Sequence, residues 1–424
     1  MNIFVNMLLW IVYAISLYFS IFLLLVYLDN REFFKKEKSS TQINKFPFVS
    51  ILVPAYNEEK TILRTLQSIN EIEYPKDKLE VIVIDDGSKD DTKKIIAEYI
   101  QNKKHFQLIS HKNIGKAASM NKALELTKGD FFACLDADSF VDPQTLRKML
   151  NIYDQENDPK LAIVTPAMKV DKPKNLLQRV QWLEYLVIIL IARLSSRLDS
   201  LYVAPGPFSL YRTKIIRELG GFDVKSITED QEIAYRLQKH HYKIKQCFDG
   251  YVHTTAPKEV KPFYRQRRRW YLGSIICVNQ YKELIANKKY GDFGMMQMIK
   301  NVAGYILAIT GITIAVYLIF LPMINRVKNL IAIKFNIIPY LKTLSFKFNL
   351  INFLQMDFRR SFLIIFIFVV GASFFYLAHK NANERMTKFG FIPLIPYFFF
   401  YYLLKGVILL LSLFEFARGK KLKW

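Results

Sequence analysis

The central part of the chain alternates between short apolar runs and longer stretches with the apolar spacing of a helix. Such alternation predicts strands followed by helices, which assemble into a mostly parallel sheet with helices on both faces. The fold class is therefore α/β. The predicted strands are Val49 to Val53, Val81 to Ile84, Phe106 to Ser110 and Phe131 to Leu135, and the helices between them are Lys60 to Ile69, Thr92 to Asn102 and Lys116 to Thr127.

Four longer apolar stretches predict helices that span a membrane. The first carries no charge before Asp29, has no small-residue cleavage site and is too long for a signal-peptide core. Lys and Arg are missing before it and cluster after it, so the positive-inside rule predicts an outside N-terminus and a cytosolic domain next. The four stretches are Ile3 to Leu28, Met295 to Ile324, Ser361 to Ala378 and Phe391 to Phe416.

Four features of the chain do not fit a simple series of spans. Trp182 to Leu194 has only thirteen residues, too few to cross a bilayer, which predicts a buried or interfacial helix. Lys328 to Phe358 mixes apolar and basic residues, as an interfacial or re-entrant element would. Lys405, near the middle of the fourth span, is costly in lipid and should face protein or a water-filled path. Four spans return the C-terminus to the outside, whereas the basic segment from Arg418 to Lys421 favours the inside, so its side stays open.

Composition agrees with a membrane protein that also has a large folded domain. The chain has 424 residues, and its content of 51% hydrophobic and 15% aromatic residues is high for a purely soluble protein. The net charge of +23 suits a cytosolic membrane face with anionic lipids, and no nucleic-acid-binding motif accompanies it. The three cysteines are odd in number and lack metal spacing, which indicates buried thiols in a reducing compartment.

Polar clusters follow three of the predicted strands, at Pro54 to Glu58, Asp85 to Ser88 and Asp136 to Asp138. Open sheets bind ligands beyond the carboxyl ends of their strands, so a nucleotide lying across these clusters would meet all three. Asp85 could accept a hydrogen bond from a uracil or ribose group. The alternative for Asp85 to Ser88 is an ordinary turn that caps the next helix.

Asp136 and Asp138 are spaced to hold one hard cation together. Residues two apart in an extended chain point to the same side, and Mg²⁺ or Mn²⁺ prefers oxygen ligands. Mg²⁺ usually takes one or two carboxylates and completes its shell with substrate phosphate. Lys116 opens a predicted helix after Asn113 to Gly115, where its charge and free backbone N–H groups could meet diphosphate oxygens; a surface lysine is the alternative.

The ordered set of motifs resembles the family-2 inverting glycosyltransferases, in particular the processive membrane synthases of cellulose, chitin, hyaluronan and poly-N-acetylglucosamine. The motifs are VSILVPAYNEE (Val49 to Glu59), VIVIDDGSKDDT (Val81 to Thr92), FFACLDADSFVD (Phe131 to Asp142), SITEDQEIAYRL (Ser226 to Leu237) and RQRRRW (Arg265 to Trp270). The resemblance covers nearly the whole chain. It implies a cytosolic GT-A domain from 45 to 258, an interfacial helix within 259–290, and membrane segments at 1–28 and 291–424.

The resemblance also assigns roles around the site. It implies that Asp230 is the general base that removes the acceptor proton, a group that an alcohol nucleophile requires. The alternative for Asp230 is a purely structural role as a helix cap. Gln266, Arg269 and Trp270 share one helical face, which suits a sugar platform and diphosphate clamp or, alternatively, a basic helix resting on lipid. The donor residues are Pro54, Ala55, Tyr56, Glu58, Asp85, Lys116 and Asp136; the acceptor residues are Glu229, Gln266, Arg269 and Trp270; the metal residues are Asp136 and Asp138.

These features predict a multi-pass enzyme of the cell membrane that uses Mg²⁺ or Mn²⁺ to transfer a UDP-activated sugar. A growing β-linked glycan is the expected acceptor and an exit path through the spans is expected for it, with membrane lipids around them. One alternative is a single transfer to a lipid, because ceramide glucosyltransferases share these motifs. Another is a transporter or binding protein whose carboxylates are structural. The sugar, the linkage and the oligomeric state stay open.

Overall fold

The computed structural model describes residues 3–35, 41–43, 45–332 and 358–419. The predicted interfacial or re-entrant element between Lys328 and Phe358 therefore lies largely outside the described residues. So do part of the basic cluster after the first span and the C-terminal lysines Lys420 and Lys421.

The described strands form one mixed sheet of eight in the order β3-β2-β1-β4-β7-β6-β8-β5. The first four strands along the chain pair in parallel, as predicted. The short β7 then enters antiparallel between β4 and β6, and β5 pairs antiparallel with β8 at the edge. The strands are β1 Val49–Ala55, β2 Leu79–Asp85, β3 Phe106–Ser110, β4 Phe131–Cys134, β5 Ser139–Val141, β6 Leu161–Val170, β7 Leu210–Arg212 and β8 Lys243–Thr254.

Helices cover both faces of this sheet because its central strands are apolar on both sides. Alternate residues of β1 belong to different cores: Ile51 packs in the core beneath α3 and α6, and Leu52 in the core beneath α5 and α9. The helices are α1 Ile3–Asp29, α2 Arg31–Lys35, α3 Ile62–Asn70, α4 Thr92–Ile100, α5 Lys116–Leu126, α6 Thr145–Glu156, α7 Leu176–Arg197, α8 Thr213–Glu218, α9 Glu229–Lys239, α10 Val260–Gln280, α11 Ile299–Ala315, α12 Leu321–Ala332, α13 Phe358–Asn381 and α14 Tyr402–Ala417.

Four helical segments of the described chain are long and apolar enough to cross a membrane, and each matches a predicted span. The fourth is the most enclosed by protein and the first the least. Within the second span, wider helical turns at Phe293–Met298 and Val316–Phe320 precede α11 and α12. Within the fourth span, such a turn at Tyr397–Tyr401 precedes α14. The segments are Ile3–Asp29, Phe293–Ala332, Ser361–Asn381 and Leu394–Ala417.

Two further helices connect the sheet domain with the spans. Helix α7 has 22 residues, longer than the predicted thirteen, because Asn175 and Gln178 form a capping box that starts it earlier. It is largely buried, and Trp182 and Leu186 pack in one core with Val170 of β6 and Phe375 of α13. Helix α10 packs against α9 of the sheet domain and against α14 of the fourth span, so it connects the two.

Candidate functional site

Loops at the carboxyl ends of β1 and β2 form one wall of the site. Ala55 and Asp85 end these strands in register. Asn57, which adopts φ +56°, and Glu58 donate their backbone N–H groups to the hydroxyls of Ser88 at 3.1 Å and Thr92 at 2.7 Å. The two predicted polar clusters are thus tied together. Among the predicted donor residues of this wall, Tyr56 is exposed, Pro54 and Glu58 are partly buried, and Ala55 and Asp85 are buried.

The Asp85 to Ser88 segment is a turn, and it also presents carboxylates at the strand end. Asp85 accepts from the Ser88 backbone N–H at 3.0 Å. Asp86 accepts from the backbone N–H groups of Ile114 at 2.8 Å and Gly115 at 3.0 Å, so it holds the turn that leads into α5. Sequence reasoning assigned no role to Asp86. Its bonds fix the position from which Lys116 begins its helix.

Lys116 joins two carboxylates from different parts of the chain. Its Nζ lies 2.6 Å from Asp136 Oδ1 and 3.1 Å from Glu229 Oε1. Burial alone would lower the Lys116 pKa, but the Asp136 and Glu229 carboxylates outweigh it and raise that pKa above its usual value. Gly206 closes over this group: a Cβ there would lie 2.9 Å from Lys116 Nζ and 3.0 Å from Asp136 Oδ2. Only a glycine leaves the Lys116 and Asp136 side chains undisturbed at that point.

Asp136 and Asp138 lie in a turn between β4 and β5, so the predicted strand alternation does not place them. The two carboxylates instead have different surroundings. Asp136 is bonded to Lys116, whereas Asp138 accepts from the Ser139 hydroxyl at 3.0 Å. Burial raises the Asp138 pKa to about 6, and the charges of Asp136 and Glu58 add to the rise.

The carboxylates of this region fit a cation that is completed by a ligand. Besides burial, the charge of Asp136 raises the pKa of both Glu58 and Asp138, and the charge of Glu58 adds to the rise at Asp138. Across the described part of the chain, no group of three or more His, Cys, Asp or Glu side chains is arranged to hold a metal ion by itself. A site with two carboxylates matches the way Mg²⁺ binds through few protein ligands and substrate phosphates.

Asp230 lies beside this group at the start of α9. Its Oδ1 accepts from the Gln231 backbone N–H at 2.9 Å, and its backbone C=O accepts from Ala204 N–H at 3.1 Å. Burial and the adjacent Glu229 raise the Asp230 pKa to about 6, against the lowering effect of Lys116 and Arg269. A carboxyl with a pKa near neutrality suits proton transfer.

Helix α10 approaches the Asp230 turn very closely. A Cβ at Gly273 would lie 2.3 Å from both Thr228 Oγ1 and Thr228 Cγ2. Thr228 is buried and immediately precedes Glu229 and Asp230. The missing side chain at Gly273 therefore sets the separation between α10 and the turn that bears the predicted base.

The predicted platform residues of α10 face a polar environment. Within the residues that the structure describes, Gln266 Oε1 is buried without a hydrogen-bond donor. Arg269 is close enough to lower the Asp230 pKa. Trp270 is partly buried, and the guanidinium carbon of Arg267 lies 4.2 Å from its ring centroid. The platform helix thus brings an unsatisfied amide, a cation and an indole toward the site.

Sequence reasoning missed a buried ionic cluster behind this platform. Glu184 of α7 accepts from Arg267 Nη2 at 2.5 Å, from the Tyr401 hydroxyl at 2.6 Å and from Lys405 Nζ at 2.7 Å. Lys405 therefore faces protein, which is one of the two environments predicted for it; the other was a water-filled path. The signal was present in two unusual charges, Glu184 in an apolar run and Lys405 in a span.

Comparison with known proteins places the sheet domain in a family. Residues 50–220 match the glycosyl transferase family 2 domain. The chain is 28% identical over 376 residues to a poly-beta-1,6-N-acetyl-D-glucosamine synthase of Staphylococcus epidermidis, covering 88% of this chain and 84% of that protein. A synthase of the same name from Staphylococcus aureus strain COL is 28% identical over 265 residues, covering 62% of this chain and 61% of that protein.

A solved structure supports the fold. The mannosyltransferase PcManGT of Pyrobaculum calidifontis, in complex with GDP-Man and Mn²⁺, superposes with a TM-score of 0.56 at 18% identity, covering 88% of this chain and 99% of that one. The likeness shows a shared fold over most of the chain. With its glycosyl transferase family 2 domain over residues 50–220, its GT-A-like sheet and its four apolar helices, the chain is similar to the family-2 membrane glycosyltransferases.

Proposed function

We propose that the protein transfers N-acetylglucosamine from its UDP derivative to the end of a growing β-linked polymer at the cytosolic face of the cell membrane. The similarity to two poly-beta-1,6-N-acetyl-D-glucosamine synthases supports the choice of sugar and of a polymeric product. The observation that carries the proposal is the contact between the two halves of the site. Lys116 and Asp136 meet Glu229, and Glu229 directly precedes Asp230.

The donor lies across the carboxyl ends of β1, β2 and β4 in this proposal. Asp85 accepts from the uracil or ribose, and the loop containing Tyr56 and Glu58 borders the nucleotide. Lys116 stands where the α5 N-terminus adds the positive end of a helix dipole, which favours diphosphate oxygens. The absence of a side chain at Gly206 leaves room for the sugar beside Lys116 and Asp136.

Asp138 and Asp136 are the residues that would hold a divalent cation, Mg²⁺ or Mn²⁺. When bound, such a cation neutralises charge that develops on the departing diphosphate. Asp138 is the better ligand of the two, because Asp136 already has Lys116 as a close partner. Lys116 supplies positive charge on the same side of the donor.

Asp230 acts as the general base on the acceptor hydroxyl. The proton leaves that hydroxyl for the Asp230 carboxylate as the oxygen attacks the anomeric carbon, and the bond from that carbon to the diphosphate oxygen breaks. Attack from the face opposite the leaving group inverts the anomeric centre and needs no covalent enzyme intermediate. Glu229, which pairs with Lys116, positions α9 so that Asp230 faces the acceptor.

The acceptor sugar rests on α10. Trp270 offers an aromatic face to the sugar, and Gln266 offers an unsatisfied amide oxygen that a sugar hydroxyl can donate to. Arg269 of the same helix is close enough to Asp230 to lower its pKa. Because α10 also lies against α14, a product that leaves the platform is next to the membrane spans.

The test is the product made by the purified, lipid-reconstituted protein from individual UDP-sugars. We expect a ladder of products with UDP-N-acetylglucosamine and much less transfer from UDP-glucose. A single glycosylated lipid without longer sugars would replace the polymerase with a lipid glycosyltransferase. Absence of UDP release with every donor would contradict the transferase activity itself.

A further inference from the structure

The cluster behind the platform joins three elements at one carboxylate. Glu184 comes from α7, Arg267 from α10, and Tyr401 and Lys405 from the fourth span. Arg267 is 2% exposed and Glu184 is 7% exposed. Two cations, Lys405 and Arg267, therefore share the single buried carboxylate of Glu184.

Fold stability alone does not account for this arrangement. Removing charges from water is costly, and replacing buried ionic groups by apolar ones is often neutral or stabilising. Lys405 alone would neutralise Glu184. Although burial opposes ionisation, Lys405 and Arg267 together lower the Glu184 pKa to about 2, so the carboxylate stays charged and keeps both partners.

The guanidinium group of Arg267 contacts the aromatic ring of Trp270 in the platform. That group lies 4.2 Å from the Trp270 ring centroid and 5.1 Å from the Phe263 ring centroid. Arg267 and Trp270 are three apart, so they are neighbours on α10. A cation over the face of an indole attracts the ring. Glu184 and Tyr401 fix the Arg267 guanidinium, so it cannot move with the Trp270 ring if that ring rotates.

We propose that Arg267 is a positioning residue for the acceptor platform, and that it sets the orientation of the Trp270 ring from an anchor formed by Glu184 and Lys405. The inference rests on the proposed function, since it assigns a role within the platform for the acceptor sugar. It extends that function by tying the platform to the fourth span. A shift of the span at Lys405 would reach Trp270 through Glu184 and Arg267.

Arg268 provides a matched control. Its Nε lies 2.7 Å from Glu415 Oε2, so it also joins α10 to the fourth span through an ion pair. Within the described part of the chain, Arg268 makes no cation–π contact with Trp270. Arg268→Met thus removes a tether between the same two helices while leaving the cation beside the indole.

The experiment compares Arg267→Met and Arg268→Met in the full-length reconstituted protein, each with and without Trp270→Ala. Arg267→Met leaves Glu184 paired with Lys405, so we expect thermal stability at or above that of the wild type. Turnover should fall by roughly two- to thirty-fold, the range that a cation–π contact supplies, with shorter products and a donor KM within about twofold of wild type. Arg268→Met should leave product length unchanged.

The double variant decides between positioning and packing. If Arg267 acts through Trp270, Arg267→Met should change turnover less than about twofold once Trp270 is alanine, because neighbouring residues that act together are not additive. Equal effects of Arg267→Met in both backgrounds would overturn the inference. Should that variant not fold, the cycle is run with Arg267→Lys, which keeps a charge for Glu184 but loses the planar guanidinium, and additivity there overturns the inference equally.

A spectroscopic measurement separates this inference from the proposed function. The difference in emission between the protein and its Trp270→Phe variant reports on that indole alone, whatever the substrate. We expect Arg267→Met to change this difference spectrum and Arg268→Met to leave it unchanged. An unchanged spectrum in Arg267→Met would contradict the positioning role even if the protein polymerises N-acetylglucosamine, and a wild-type protein without transferase activity would contradict only the function.

Discussion

A methyl group at position 273 should push α10 away from the turn that carries Asp230. The Cβ of Gly273→Ala would lie 2.3 Å from Thr228 Oγ1 and Cγ2 and 2.9 Å from Thr228 Cβ. Rotation of Thr228 can move its two outer atoms, but its Cβ is fixed by the backbone. Relief of the clash therefore requires that this separation grow from 2.9 Å to the 3.4 Å at which ordinary contact begins.

This displacement bears directly on catalysis because the two elements carry the two sides of the proposed acceptor site. Thr228 leads into Asp230, and α10 carries Arg269 and Trp270. A misplacement of about 1 Å costs on the order of a hundredfold in rate, so the roughly 0.5 Å required here should lower the turnover of Gly273→Ala about tenfold. Because the donor residues lie elsewhere, UDP affinity should change little.

The assay is the initial rate of UDP release by the reconstituted protein at saturating donor, with UDP binding measured in parallel. Gly304→Ala in α11 is the matched control, since a Cβ there meets no heavy atom within 4 Å. Thr228→Gly removes the clashing atoms and keeps a residue that tolerates the helix N-cap, so it should restore part of the activity of Gly273→Ala. Wild-type turnover in Gly273→Ala would refute the reasoning.

Three other outcomes follow from the site. Turnover should rise with pH through about 6 and then level off, because Asp230 accepts a proton only when it is ionised and its pKa is raised to about 6. A flat profile between about pH 5 and pH 7 would argue against Asp230 as the base. Gly206→Ala should raise the donor KM about tenfold without loss of folded protein, because the new methyl group displaces only the flexible ends of Lys116 and Asp136. An unchanged donor KM would exclude a donor site beside Gly206. Chelation should abolish transfer, and Asp138→Ala should weaken UDP binding mainly when Mg²⁺ or Mn²⁺ is present; full activity in EDTA would remove the metal.

The sequence predicts the parallel part of the sheet well because its determinants are local. The strands β1 to β4 are apolar runs bounded by turn residues, and the structure places them within a few residues of their predicted positions. The three-residue strands β5 and β7 are different. They are too short to carry a pattern, and they are strands only because β8 and β4 lie beside them.

The sequence names the proposed donor and base residues one by one, whereas their mutual contacts are visible only in the structure. The bond from Lys116 to Glu229 crosses from α5 to α9, and no local spacing encodes it. The same holds for Glu184 and Lys405, which are 221 residues apart in the chain. Each is visible as an unusual charge in an apolar stretch, but only the fold pairs them.

Close approaches of helices are the least visible in sequence. Gly273 stands in an otherwise ordinary amphipathic helix, and nothing around it indicates that Thr228 packs against its Cα. The expectation that Asp136 and Asp138 share one side of a strand fails for a related reason. The strand ends at Cys134, so the pair lies in a turn whose shape is set by the partners of each carboxylate.

The most direct test of the account is the comparison of transfer and UDP binding in Asp230→Asn. The amide keeps the size of the carboxylate and can still accept from the Gln231 backbone N–H, but it cannot take the acceptor proton. We expect turnover to fall on the order of 10² to 10⁴-fold while UDP affinity stays within about threefold of wild type. Near wild-type transfer by Asp230→Asn would contradict the central claim that this residue activates the acceptor.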